Sequence, residues 1–178
     1  MFLTQTKLLN ILTVMSLVFC LSFSIHGNAQ EKLKPEAPSV RVEMTQDRMA
    51  QIISELTSEY QGPVNRIEFT FKNVAMALVS DEKNNRMRII APIISVENLN
   101  EELLQAAMVS NFHLALDARY AIGKGVLYAA YIHPLKELTD EQLKSAVKQV
   151  ASLRLTFGTT FTSGQLNFGG RSPKEQDI

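Results

Sequence analysis

The stretch that decides the fold runs from Arg66 to Ile94 and reads RIEFTFKNVAMALVSDEKNNRMRIIAPII. Its first six residues alternate, with Ile67, Phe69 and Phe71 apolar against Arg66, Glu68 and Thr70. A period of two places successive side chains on opposite faces of a strand, so this run predicts a strand with one wet face. Lys72 and Asn73 follow as a tight reversal, and the next run, Val74 to Ser80, is apolar on both faces. Asp81 to Asn85 makes a polar turn, and Met87 to Ile94 makes a third strand ending near Pro92. Three such runs joined by short turns predict an antiparallel meander.

Outward toward the N-terminus the period changes to that of a helix. Met49, Ile52, Ile53, Leu56 and Tyr60 form one apolar stripe, Thr45 can cap it through its hydroxyl, and Gly62 and Pro63 stop it. Outward toward the C-terminus, Asn98 with Glu101 resembles a capping box, and Leu103, Leu104, Ala107, Met108 and Asn111 keep helical spacing. Phe112 to Ile122 then alternates as a strand, Gly123, Lys124 and Gly125 turn the chain, and Val126 to His133 predicts another strand. Thr139 and Gln142 form a second capping box before Leu143, Ala146, Val147, Val150, Leu153 and Phe157, and Gly158 ends that helix. The expected fold is α+β in the order α-β-β-β-α-β-β-α, a five-stranded antiparallel sheet with helices packed on one face.

The ends read differently. Residues 1–29 have the pattern of an export signal: Lys7, an apolar run from Leu8 to Ile25, then Gly27 and Ala29 placed for a cut before Gln30. The expected location is periplasmic or secreted, and membrane association is expected only if that segment stays uncleaved as an anchor. Residues 30–44 read as a flexible arm, 45–158 as the folded domain and 159–178 as a disordered tail.

Of 178 residues, 46% are hydrophobic and 20% charged, which suits one folded domain with a filled core. Without Lys7 the chain keeps 17 basic against 18 acidic residues, so no electrostatic footprint for nucleic acid exists. Cys20, the lone cysteine, lies in the export segment, which leaves the mature chain no disulfide and no thiolate ligand.

The order of elements resembles the type III secretion chaperone-like superfamily and, within it, the YbjN-like proteins. The likeness is carried by IEFTFKNVAMALVSDEKNNRMRIIAPI, LNEELLQAAMVSNFHLALD and GVLYAAYIHPLKELTDEQLKSAVKQV, and it spans residues 45–157. The resemblance implies a homodimer that binds an extended segment of a partner chain without cofactor or nucleotide. It brings no catalytic residue with it.

The residues themselves point away from an enzyme. No Gly-x-Ser-x-Gly arrangement exposes a nucleophile, and the Gly-Lys-Gly turn joins strand to strand, whereas phosphate loops lead into a helix. Taking Lys124 as the centre of that turn puts His133 opposite Ala115 and diagonal to His113, with Asp117 on the same side. Those three suit an exposed strand face better than a metal, so no metal site and no cofactor are expected. The same face carries Ala115, Ala121, Leu127, Ala129 and Tyr131, half apolar and flat. Ala115, Leu127, Ala129 and Tyr131 are thus candidates for a partner contact with Tyr131 as anchor, unless the arm, the tail or a helix covers them. Two functions remain open: a non-enzymatic protein-binding domain of chaperone or adaptor type, or a small-molecule carrier with an apolar cavity lined by Phe69, Phe71 and Met76.

Overall fold

The computed structural model describes residues 42–164; residues 1–29, expected as an export signal, most of the expected arm and residues 165–178 of the expected tail lie outside the described residues. Helix α1 is Gln46–Leu56, and Thr45 caps it by accepting a hydrogen bond from the Arg48 N–H at 3.1 Å. Met49, Ile52 and Ile53 are its buried stripe. The helix ends at Leu56, one turn earlier than the stripe suggested, because Tyr60 belongs to a short strand. That strand, β1 (Tyr60–Gln61), pairs with β2 (Arg66–Phe71) through Tyr60 opposite Phe69 and Gln61 opposite Glu68.

Gly62 makes this pairing possible. It sits at φ +105°, and a Cβ there would lie 2.4 Å from the Arg66 carbonyl oxygen, so only glycine lets the chain fold back tightly enough.

Strands β2 and β3 (Val74–Asp81) are joined by Lys72 and Asn73, both at positive φ, as a two-residue hairpin turn requires. Strand β4 is Arg86–Ser95 and does not stop at Pro92. The β3–β4 ladder reaches only Ala77 opposite Ile90, and Pro92, lacking an N–H, sits beyond it. Between Pro92 and Ile94 a bulge shifts the pairing with the neighbour on the other side. After a 3-10 turn (Val96–Asn98), helix α2 spans Glu101–His113, with Asn100 rather than Asn98 as its cap, accepting from Leu103 N–H at 2.8 Å.

Strand β5 (Arg119–Gly123) is much shorter than the expected run from Phe112, and β6 is Val126–His133. Residues 114–118 form no strand. Gln149 holds them instead: its Oε1 accepts from the Asp117 and Ala118 N–H groups at 2.9 and 3.0 Å, and its Nε2 donates to the Asp117 carboxylate at 3.1 Å. Small apolar residues alternating with polar ones fit this looped segment as well as a strand, and the partner that selects the loop is thirty residues away.

Helix α3 (Asp140–Thr156) begins with the expected capping box between Thr139 and Gln142. Gly158, at φ +77°, ends the helical region. The ordered chain continues past it. Phe161 is buried, its carbonyl accepts from the Ser110 hydroxyl, and its ring meets those of Tyr120 and Phe157 edge to face at 6.1 and 5.4 Å. Residues 159–164 therefore belong to the folded domain rather than to a disordered tail, because Phe161 fills the end of the core.

The strands form one antiparallel sheet of six, not five, in the order β1-β2-β3-β4-β6-β5. The extra strand is β1, whose two residues are too few to show a period. One face of the sheet presents Ile67, Phe69, Val74, Met76, Leu78, Met87, Ile89, Ala91, Leu127, Ala129 and Tyr131 to α1 and α3 in a single core. No helix among the described residues is long and apolar enough to cross a membrane.

Candidate interaction surface

The β5–β6 turn decides which side chains are available. Gly123 pairs with Val126, so the loop is two residues, Lys124 and Gly125, both at positive φ. Centring the turn on Lys124 instead shifts the register by one residue, and a one-residue shift moves every side chain of a strand to the other face. Tyr120 in fact opposes Ala129, and Ile122 opposes Leu127.

Of the four residues expected to contact a partner, Leu127, Ala129 and Tyr131 are consequently buried, and Ala115 is buried in the loop before β5. Ala115, Leu127 and Ala129 have no solvent exposure and Tyr131 has 5%, all within the core under the helices. Burial is also what pushes the Tyr131 phenol above its ordinary pKa, with the Asp117 carboxylate adding to it. Of the two coverings weighed for these residues, the one found is tertiary packing by the chain's own helices.

The opposite face of the sheet is open. Read across the strands, one row runs Glu68, Ala77, Ile90, Ala130, Arg119, and the adjacent row runs Arg66, Val79, Arg88, Ile132. Beyond the first row lie Pro92, Tyr128 and Ala121, paired in that order. Among the described residues no helix packs on this face. Ile132 is 61% exposed, and Val79, Ile90 and Tyr128 are half-buried only by their neighbours.

Where Pro92 ends the β3–β4 ladder, the face sinks into an open trough of about 640 Å³. Ala75, Ala77, Ile90, Pro92 and Tyr128 form its apolar lining, and Glu59, Tyr60 and Gln61 form the wall on the β1 side. Of Phe69, Phe71 and Met76, expected to line an enclosed cavity, Phe69 and Met76 are almost fully buried in the core and also border this open trough, and Phe71 packs partly buried against the core.

Charges border the apolar centre at one end. Arg66 is paired with Glu68 at 3.3 Å. The Asp81 carboxylate is engaged by Asn84, whose side-chain and backbone N–H groups lie at 2.7 and 3.1 Å and hold the carboxyl below its usual pKa. Arg86 and Arg88, two apart on β4 and hence on one face, make no ion pair among the described residues. Arg88 stands between Val79 and Ile132.

A second apolar feature borders β5. Asn111 on α2 takes the place of a further strand, accepting from the Tyr120 N–H at 2.7 Å and donating to its carbonyl at 3.1 Å. Met108 and Phe112 flank it on the outer side of α2, exposed at 43% and 78%.

The histidines do not converge. His113 ends α2 and meets Phe112 edge-on at 4.8 Å. His133 stacks on Tyr131 at 6.0 Å, and its Nδ1 lies 2.7 Å from the Pro134 carbonyl. It lines a polar cleft of about 350 Å³ with Asp117, Ser145 and Gln149, and His113 is not part of that cleft.

Sequence reasoning missed Val79, Arg88, Ile90, Tyr128 and Ile132 as surface residues. The alternation of Arg86, Arg88, Ile90 and Pro92 along β4 could have found them once the sheet's covered face was known.

No protein-family model matches the chain, and no curated protein matches it. Among solved structures it is similar to a chain of the HopA1–SchA chaperone–effector complex, with 15% identity and a TM-score of 0.48 over 63% of this chain and 88% of that one. It is also similar to a chain of the ExsC–ExsE complex, with 11% identity and a TM-score of 0.47 over 64% of this chain and 96% of that one.

Proposed function

We propose that this protein is a non-enzymatic protein-binding domain of chaperone or adaptor type, and that its open sheet face receives the partner. The observation that carries the reading is an apolar strip, from Ala77 and Val79 through Ile90 to Tyr128 and Ile132, with Ala130 buried between the last two, that no helix among the described residues covers. A sheet buries its apolar faces against another layer, and a strip left open in the folded chain gains by burial against something else. Tyr128, the aromatic residue of the trough's apolar lining, is the natural anchor.

Export by residues 1–29, a homodimeric state and a YbjN-like affiliation complete the proposal. They rest on the segment's pattern and on the family resemblance. N-terminal sequencing of the protein from its host tests the export step, with Gln30 expected as the first residue, and light scattering tests the dimer.

For the surface itself, a photo-crosslinking amino acid is placed at Tyr128, at Ile132 and, as control, at exposed Lys148 on α3. Adducts with one defined protein are expected from the first two positions and not from the third. Equal labelling from Lys148, or none from Tyr128, removes the sheet face from consideration.

The carrier alternative requires an enclosed apolar cavity. The trough on this face is open and partly polar, which favours a protein side chain over a small molecule as its occupant.

A further inference from the structure

The open face is not uniformly apolar, and the placement of its charges restricts what fits it. Along β4 the outward residues run Arg86, Arg88, Ile90, Pro92, so the surface changes from cationic to apolar over successive steps of about 7 Å. Arg66 is paired with Glu68; Asp81, opposite Arg86 across the β3–β4 ladder and hydrogen-bonded to Asn84, stays anionic but forms no ion pair with it, and Arg88 has no carboxylate opposite it and no ion pair among the described residues. Arg88 is bracketed by the aliphatic side chains of Val79 and Ile132. A carboxylate arriving there would be partly shielded from water, which strengthens its pairing with a guanidinium relative to a fully exposed pair.

From this arrangement, and resting on the reading that the sheet face is a protein-binding surface, we propose that its occupant is an acidic amphipathic helix of a partner protein. Its apolar stripe lies over Ala77, Ile90 and Tyr128. One or two carboxylates lie one to two helical turns beyond the end of that stripe, over Arg88 and Arg86. The spacing follows from geometry: Arg88 and Arg86 lie about 7 and 13 Å along the strand from Ile90, and a helix covers such spans in roughly four to nine residues. A second copy docking face to face is disfavoured by the same groups. It would bring two sets of unneutralised arginines into one interface, and like charges there oppose association.

The test uses the mature chain and two synthetic helical peptides with the same leucine stripe. One carries two glutamates four and eight residues beyond the stripe, and the other carries lysines at those positions. Fluorescence anisotropy is expected to show the glutamate peptide binding at least about tenfold more tightly, the difference between two attractive and two repulsive partly exposed pairs, with the gap narrowing as salt is raised. The double variant Arg86→Glu/Arg88→Glu should reverse the preference and keep the fold by circular dichroism, at a small cost in thermal midpoint because position 86 faces Asp81 across the ladder.

Equal binding of both peptides, abolished by Tyr128→Asp, overturns the charge requirement while leaving the sheet face as a binding surface. A glutamate preference that survives the double reversal places the charge recognition elsewhere and also overturns the proposal. A dimer that the Tyr128→Asp variant splits into monomers, with neither peptide bound by the wild type, identifies a second copy as the occupant of this face and overturns it as well. Failure of either peptide to bind, together with no crosslinks from Tyr128, removes both this inference and the reading beneath it.

Discussion

Gln149 shows how one side chain can specify a loop. It is 4% exposed on α3, and its amide serves two backbone N–H groups, the Asp117 carboxylate and the Ser145 hydroxyl, the last at 3.1 Å. Replacing it by leucine keeps the volume but strands those donors, and a buried unsatisfied donor costs about 1–3 kcal/mol. Gln149→Leu should therefore lower stability by about 2 kcal/mol or more in urea unfolding, with faster amide exchange at Asp117 and Ala118. An unchanged midpoint would show that water replaces the amide without loss. The glycines give a graded comparison. Gly125, at φ +76°, has no atom within 4 Å of the place a methyl group would occupy, whereas a methyl on Gly62 would meet the Arg66 carbonyl. Gly125→Ala should cost about 1–2 kcal/mol, the penalty of a left-handed L-residue. Gly62→Ala should cost clearly more, because β1 must also move, and calorimetry on the two variants checks the order.

At the scale of elements, the cap residues Thr45, Thr139 and Gln142 were legible because capping is local chemistry within three residues. Strands β2, β3 and β6 were legible from their runs of apolar residues, and the Lys72–Asn73 reversal from its turn chemistry. Two-residue β1 was not, since its pairing depends on Phe69 and Glu68 rather than on any rhythm of its own. Nor was the register of β5 on β6, which a single residue in the turn reverses. That register yields a direct test on one strand. Leu127→Asp buries a charge in the core and should unfold the domain or cost several kcal/mol, whereas Ile132→Asp, 61% exposed, should change stability by less than about 1 kcal/mol. Thermal unfolding of the pair distinguishes the two registers, and tolerance of aspartate at Leu127 would invalidate the face assignment.

At the scale of the whole molecule, α1 is tied to the start of α3 by Arg48 and Asp140. The guanidinium Nε lies 3.2 Å from the Asp140 carboxylate, Nη2 completes the fork, and Glu55 joins Arg48 at 3.8 Å. The hydrogen bond from Arg48 holds the Asp140 carboxyl below its ordinary 3.8. A depressed carboxyl pKa contributes stability that is present above the unfolded value and is lost as pH falls through the folded one. Wild-type stability should thus decline below pH ~4 more steeply than that of Asp140→Asn, and the difference should shrink at high salt because both groups are partly exposed. Parallel acid titrations monitored by circular dichroism check this, and superimposable curves would show the fork to be energetically neutral.

The amino-acid sequence by itself determined the α+β class, the three helices, the strands β2, β3, β4 and β6, two of the three helix caps and that no cysteine follows Cys20. Each of these follows from contacts within a few residues or from composition. Only the tertiary structure decided which sheet face is covered, that Ala115, Leu127, Ala129 and Tyr131 are core, that Phe161 closes it, and that Arg88, Ile90, Tyr128 and Ile132 face outward. Those outcomes rest on strand register and on partners distant along the chain, and a period of two assigns residues to two faces without saying which of them the helices will bury.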